Sequence, residues 1–148
     1  MSFLKSCSTI STRLFSLVAV LVLAACVQTP PPQNVEYTDS YSRDMFEKGY
    51  GFISERYISP VSLRELSVSG LTGLREVDSR IEVRESAGRI EVHYNKALIG
   101  SVAEPATDAP AAWSNATVEA IALIRQASPT VHQASAETVF KAVFDNVL

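Results

Sequence analysis

The stretch Arg80-Ile-Glu-Val-Arg-Glu-Ser-Ala-Gly-Arg-Ile-Glu-Val-His-Tyr94 decides the fold. Ile81 and Val83 alternate with Arg80, Glu82 and Arg84, and Ile90, Val92 and Tyr94 alternate with Arg89, Glu91 and His93. A period of two puts one set of side chains on each face of an extended chain. Glu85-Ser-Ala-Gly88 separates the two runs, so they predict a β-hairpin with one buried face. The other face is charged, and its Arg and Glu can pair across strands for a few tenths of a kcal/mol. His93 falls in the exposed phase, with no second histidine or cysteine nearby to share a metal ion.

Outward from the hairpin the period changes to that of helices. Tyr41, Met45, Phe46, Tyr50, Ile53 and Tyr57 recur at spacings of three and four and predict a first helix over 40–57. Gly49 and Gly51 weaken its middle, and Ser59-Pro60 ends it. Ser62 is positioned to cap a second helix that turns Leu63, Leu66, Leu71 and Leu74 inward, with Gly70 and Gly73 weakening its far end. Asp78-Ser79 is a turn, and 95–112 reads as loop. Asp108 and Pro110 open a third helix carrying Trp113, Ala116, Ala120, Ile121 and Ile124, which Ser128-Pro129 ends. Ser135 caps a fourth, whose Val139, Phe140, Val143, Phe144 and Val147 make a wide apolar face needing a partner. The fold class is therefore α+β, a small and mostly helical domain of about four helices with one β-hairpin.

The chain has 148 residues, 47% hydrophobic and 20% charged, with a net charge of -3. That composition fits one globular domain plus an appended segment. The acidic balance argues against general nucleic-acid binding, which needs a basic surface. Two cysteines and two histidines exclude a disulfide scaffold and a dense metal cluster.

The appended segment is at the front. Lys5 and Arg13 are the only charges in the first 26 residues, and Leu14 to Leu23 is a ten-residue apolar run followed by Ala24, Ala25 and Cys26. At ~1.5 Å per residue the run spans about 15 Å, half of a hydrocarbon core of ~30 Å. Positive, short-apolar and small-residue regions in that order describe a signal peptide over 1–25. Leu23-Ala-Ala-Cys26 resembles the lipobox of bacterial lipoproteins. The resemblance implies that the Cys26 sulfur receives a diacylglycerol and that the bond before it is cleaved. It places the protein in the bacterial cell envelope, lipid-anchored and facing the periplasm. Val27 rather than Asp after the cysteine favours the outer membrane by resemblance to enterobacterial sorting. Cleavage would remove Lys5 and Arg13, two of the 13 basic groups, and none of the 16 acidic ones, leaving a net -5. Lipid rather than charge would then hold the protein at an anionic surface.

Residues 26–38 contain Pro30-Pro-Pro32 and predict a semi-rigid tether in polyproline II form, carrying a globular domain over 39–148.

Over about residues 44–148 the chain resembles the N-terminal region of the carboxy-terminal processing (tail-specific) serine peptidases. The resemblance rests on Ile53-Ser-Glu-Arg-Tyr-Ile-Ser-Pro-Val61, Gly70-Leu-Thr-Gly-Leu-Arg-Glu-Val-Asp78, the hairpin, Trp113 and Val139-Phe-Lys-Ala-Val-Phe-Asp-Asn-Val-Leu148. In that family a PDZ domain and a catalytic domain with a serine nucleophile and a lysine base follow, and this sequence contains neither. A lysine base must be desolvated, whereas Lys48, Lys96 and Lys141 fall on solvated faces or loops. Ser135 and Lys141 are six apart on one helix and do not point at a shared atom. No catalytic residue and no cofactor or metal site is assigned. The one candidate site residue is Cys26, for lipidation.

The expected function is a membrane-anchored lipoprotein with a non-catalytic accessory or interaction domain of this type, or a truncated product of such a gene. Expected partners are the membrane, through the lipid on Cys26, and a protein partner or a second copy, with no nucleic acid. One alternative is part of a Ser/Lys peptidase whose catalytic half is missing from this chain. Another is a stand-alone envelope lipoprotein that binds a partner or an apolar ligand.

Overall fold

The computed structural model describes residues 35–56 and 62–147. The signal segment, Cys26, the tether up to residue 34 and the Ser59-Pro60 helix break lie outside them. Along the described residues run α1 (Asp39–Arg56), α2 (Leu63–Gly73) with a 3-10 turn at Leu74–Glu76, and β1 (Ile81–Ser86), β2 (Arg89–Tyr94) and β3 (Ala97–Ala103). Then come α3 (Pro110–Ala127), the short α4 (Pro129–Gln133) and α5 (Ala136–Asp145). The architecture is the expected α+β, with helices packed on one antiparallel sheet in the order β1-β2-β3.

The hairpin forms as its alternation dictates. Ile81 pairs with Tyr94, Val83 with Val92, and Ser86 with Arg89 beside the turn. Ala87 and Gly88 both take positive φ, 49° and 74°, the two-residue turn that matches strand twist. The sheet has a third strand where a loop was expected. Asn95 and Lys96 make a second positive-φ turn, at 52° and 68°, and return the chain along β2 as β3. The register slips between Val92 and His93. The extra residue is Ile99, so strict alternation fails on β3, while β2 keeps its register with β1. His93 is not in an exposed phase: it is 9% exposed, beside a fully buried Val92, and its Nε2 lies 3.2 Å from Glu91 Oε2. It lies on the central strand, flanked by Glu82 and Leu98.

Helix α1 buries Phe46 and Tyr50 as its stripe requires, while Met45 and Ile53 are half-buried and Tyr41 stays at the margin. Two caps differ from expectation. Ser62 precedes α2, and its carbonyl accepts from the Leu66 N–H, but its side chain makes no cap bond. Instead Asp108 Oδ1 accepts from the Leu63 N–H at 3.1 Å, so the residue expected to cap α3 serves α2. Helix α3 begins with Ala109 at its cap and Pro110 in its first turn, with no side-chain bond. Asp108→Ala should therefore destabilise α2 rather than α3, by about 1 kcal/mol. Thermal unfolding should show the loss, and hydrogen exchange should quicken at Leu63–Leu66 but not at Trp113–Ala116. Ser128 ends α3 and also starts α4, its Oγ accepting from the Val131 N–H.

The wide face of α5 finds its partners within the domain. Val139 and Val143 are fully buried, and Phe140 and Phe144 close on α1: Phe46 meets the Phe140 ring edge-on at 5.3 Å and Phe144 at 5.5 Å. On α2 the two glycines expected only to weaken the helix are where α5 lies closest. A Cβ on Gly70 would sit 2.6 Å from Val143 Cγ1, and one on Gly73 would run into the Ala142 carbonyl. Ser69 Oγ donates to the Asn146 carbonyl, and Asn146 Nδ2 donates back to the Ser69 carbonyl at 2.6 Å, clasping the end of this crossing.

Candidate functional site

Cys26 lies outside the described residues. The Ser and Lys residues weighed against the peptidase resemblance are all placed, and the structure does not bring them together. Ser135 Oγ accepts from the Thr138 N–H as the cap of α5, while the Lys141 amine pairs with Asp145 at 2.7 Å in solvent. Lys48 pairs with Asp44 in the same way, and Lys96 stands exposed in the β2-β3 turn. Among the described residues no three His, Cys, Asp or Glu side chains gather as metal ligands would. No helix among them is long and apolar enough to cross a membrane.

Two built features stand out. The first is where the chain enters the domain. Val35–Thr38 has no regular structure, but it is held. The Val35 carbonyl accepts from the Ala136 N–H at 3.1 Å, and Tyr37 is 6% exposed. The Tyr37 ring lies between the Arg125 guanidinium, 4.5 Å from its centroid, and Phe140. Arg125 in turn donates to the carbonyls of Val131 and His132 at the end of α4. A guanidinium that is stacked and hydrogen-bonded at once is a rigid clamp. Burial pushes the Tyr37 phenol up to about 12, and the Ser42 hydroxyl nearby only partly offsets it. An open cleft of about 700 Å³ adjoins this entry, lined by Glu36, Tyr37, Arg125, His132 and Ser135 among others. Sequence reading put Val35–Thr38 in the tether. The signal it passed over is Tyr37 itself, a large aromatic three residues ahead of an aromatic-striped helix.

The second feature is Asp78. It accepts Arg80 Nε and Nη2 at 2.8 Å, the Arg80 backbone N–H at 3.1 Å, Ser128 Oγ at 2.6 Å and Tyr94 Oη at 3.3 Å. The Arg80 guanidinium also lies over the Tyr94 ring. Its hydrogen bonds hold the Asp78 carboxyl far below the usual carboxylate range, against the opposing effect of burial, with Ser128 helping. One buried carboxylate thus joins the end of α2, the sheet and the α3-α4 junction. Every acceptor direction is occupied, which suits a structural hub and leaves no proton acceptor facing a substrate.

No protein-family model, curated protein or solved structure matches the chain.

Proposed function

We propose that the protein is a lipid-anchored lipoprotein of the bacterial envelope, facing the periplasm, whose folded part is a non-catalytic accessory domain of the carboxy-terminal processing peptidase type. The observation that carries the reading is Leu23-Ala-Ala-Cys26 after a ten-residue apolar run, joined by a proline-bearing spacer to a compact helical domain. Two further points support it. Ser135 is engaged as a helix cap and Lys48 and Lys141 in surface ion pairs, as suits a domain that binds rather than reacts. The Gly70-Leu-Thr-Gly-Leu74 and Phe140-Lys-Ala-Val-Phe144 segments, which carry the peptidase resemblance, pack directly on each other as one unit.

The test is metabolic labelling with an alkyne fatty acid. The native protein should take up label and enter the detergent phase on partitioning, while Cys26→Ala should take up none and retain its signal segment. Label retained in Cys26→Ala, or absent from the native protein, would refute the anchor. One acyl chain binds a bilayer only marginally, at ~10⁴ M⁻¹, so two or three on one cysteine are what make attachment durable.

A further inference from the structure

The geometry points to a specific membrane-apposed face: the patch of Val35, Tyr41 and Phe140 at the chain entry, docked on the lipid interface of the bilayer that carries the anchor. This rests on the lipid at Cys26 and adds an orientation to it.

The first argument is reach. Eight residues, 27–34, separate Cys26 from Val35. Fully extended, the nine Cα–Cα steps from Cys26 to Val35 cover at most about 31 Å, at ~3.5 Å each. A domain of this size has a radius of gyration of ~13 Å and is about 35 Å across. The spacer is shorter than the body it carries, so the far side of the domain cannot be brought to the lipid while Val35 stays pinned. Pinned it is, by its bond to Ala136 and by Tyr37 locked between Arg125 and Phe140.

The second argument is what surrounds that pin. Val35 is 40% and Tyr41 39% exposed, two of the four large hydrophobic side chains that stand in solvent among the described residues. Tyr41 adjoins the half-buried Phe140, and Val35 is tied to the same helix. Val35 bonds to Ala136 one turn before Phe140 on α5, and the Tyr41 ring sits 5.8 Å from the Phe140 ring. Tyrosine is suited to the headgroup level, with an apolar ring and a polar tip. Around Tyr37, Asp39 and Glu36 are matched by Arg43 and Arg125. Phe52 is more exposed, at 60%, but the Arg56 guanidinium lies over its ring and Asp44, Glu47, Lys48 and Glu55 surround it, charges of both signs that insertion into lipid would have to strip of water. It is also eleven residues further along α1, about 16 Å from Tyr41.

A patch this small would not hold an untethered protein on a membrane. A short tether changes that by raising the effective lipid concentration to the order of millimolar or more. Docking should accordingly occur in the lipidated protein.

The experiment uses the full lipidated protein, purified from membranes and reconstituted in phosphatidylcholine vesicles whose acyl chains are brominated near the headgroup. Tyr41→Trp and Phe52→Trp each add one reporter to the buried Trp113, whose emission in the unsubstituted protein is the baseline. The expected result is loss of the added emission in Tyr41→Trp and its retention in Phe52→Trp. With the protein floating on the vesicles, equal quenching at both positions, or quenching at 52 alone, overturns the docking and leaves the anchor standing. Shielding of position 41 from aqueous iodide that grows with protein density on the vesicle, without bromine quenching, marks a second copy as the occupant and also overturns it. Failure to float with the vesicles removes the anchor and the docking together.

Discussion

Gly73→Ala should be among the most damaging single-methyl additions in the domain, lowering stability by about 3 kcal/mol where α2 crosses α5. The new Cβ would be driven into the Ala142 carbonyl, with Asn146 Cβ 2.8 Å away on its other side. A flexible side chain could swing aside; a helix backbone cannot. Relief requires sliding α5, which also carries Val139, Val143 and the aromatic contacts to α1. The helix-forming gain of alanine over glycine, about 1 kcal/mol, offsets only part of this. The internal control is Gly51→Ala. That glycine lies within α1 with nothing inside 4 Å of an added Cβ, so propensity acts alone and stability should rise by about 0.5–1 kcal/mol. Urea titrations followed by Trp113 emission should move in opposite directions for the two variants. A neutral Gly73→Ala would mean that α2 and α5 cross with room for a methyl group.

Asp78→Ala should rank with it. The carboxylate is buried, and its loss strands the fully buried Ser128 hydroxyl and the Arg80 backbone N–H at once. Removing one member of a fully buried pair costs about 3–5 kcal/mol, but Arg80 is 47% exposed and regains water, so we expect about 2–3 kcal/mol. The effect carries a pH signature. The folded-state carboxyl is held below its unfolded value. Its contribution is thus complete above the ordinary carboxylate range, about pH 4, and fades as pH falls through that range toward the folded value. The stability gap between the native protein and Asp78→Ala should be constant from pH 7 to pH 5 and narrow steadily below pH 4. A gap that stays constant to pH 3 would show that the charge is not what matters there.

These two sites also mark where sequence reading reached its limit. Periodicity located α1, α2, α3, α5 and the first hairpin, because each buries one face and repeats its apolar residues to suit. The same pattern reading took Gly70 and Gly73 for weak points, since a propensity belongs to its own helix and the approach of α5 comes from seventy residues away. Asp108 looked like the cap of the helix just after it. Its partner is Leu63, reached only once the chain has folded back. Strand β3 was passed over for two local reasons. Its turn is Asn95-Lys96 rather than a glycine turn, and the slip at Val92/His93 spoils the alternation of Leu98, Ile99, Gly100 and Val102. His93 is buried for a different reason: it lies on the central strand, flanked by Glu82 and Leu98. Ser128-Pro129 read as a stop and is also a start, because proline without a donor fits the first turn of α4 as well as it ends α3. For the candidate site the balance is reversed. Cys26 and its apolar run are legible only in sequence, since they lie outside the described residues, while the Tyr37-Arg125 clamp is legible only in three dimensions.

The most direct measurement is the mass of the N-terminal peptide of the protein extracted from its native membrane. A peptide beginning at Cys26 and heavier by a thioether-linked diacylglycerol is the predicted result. A peptide beginning elsewhere, or beginning at Cys26 with a free thiol and a free amine, would contradict the account.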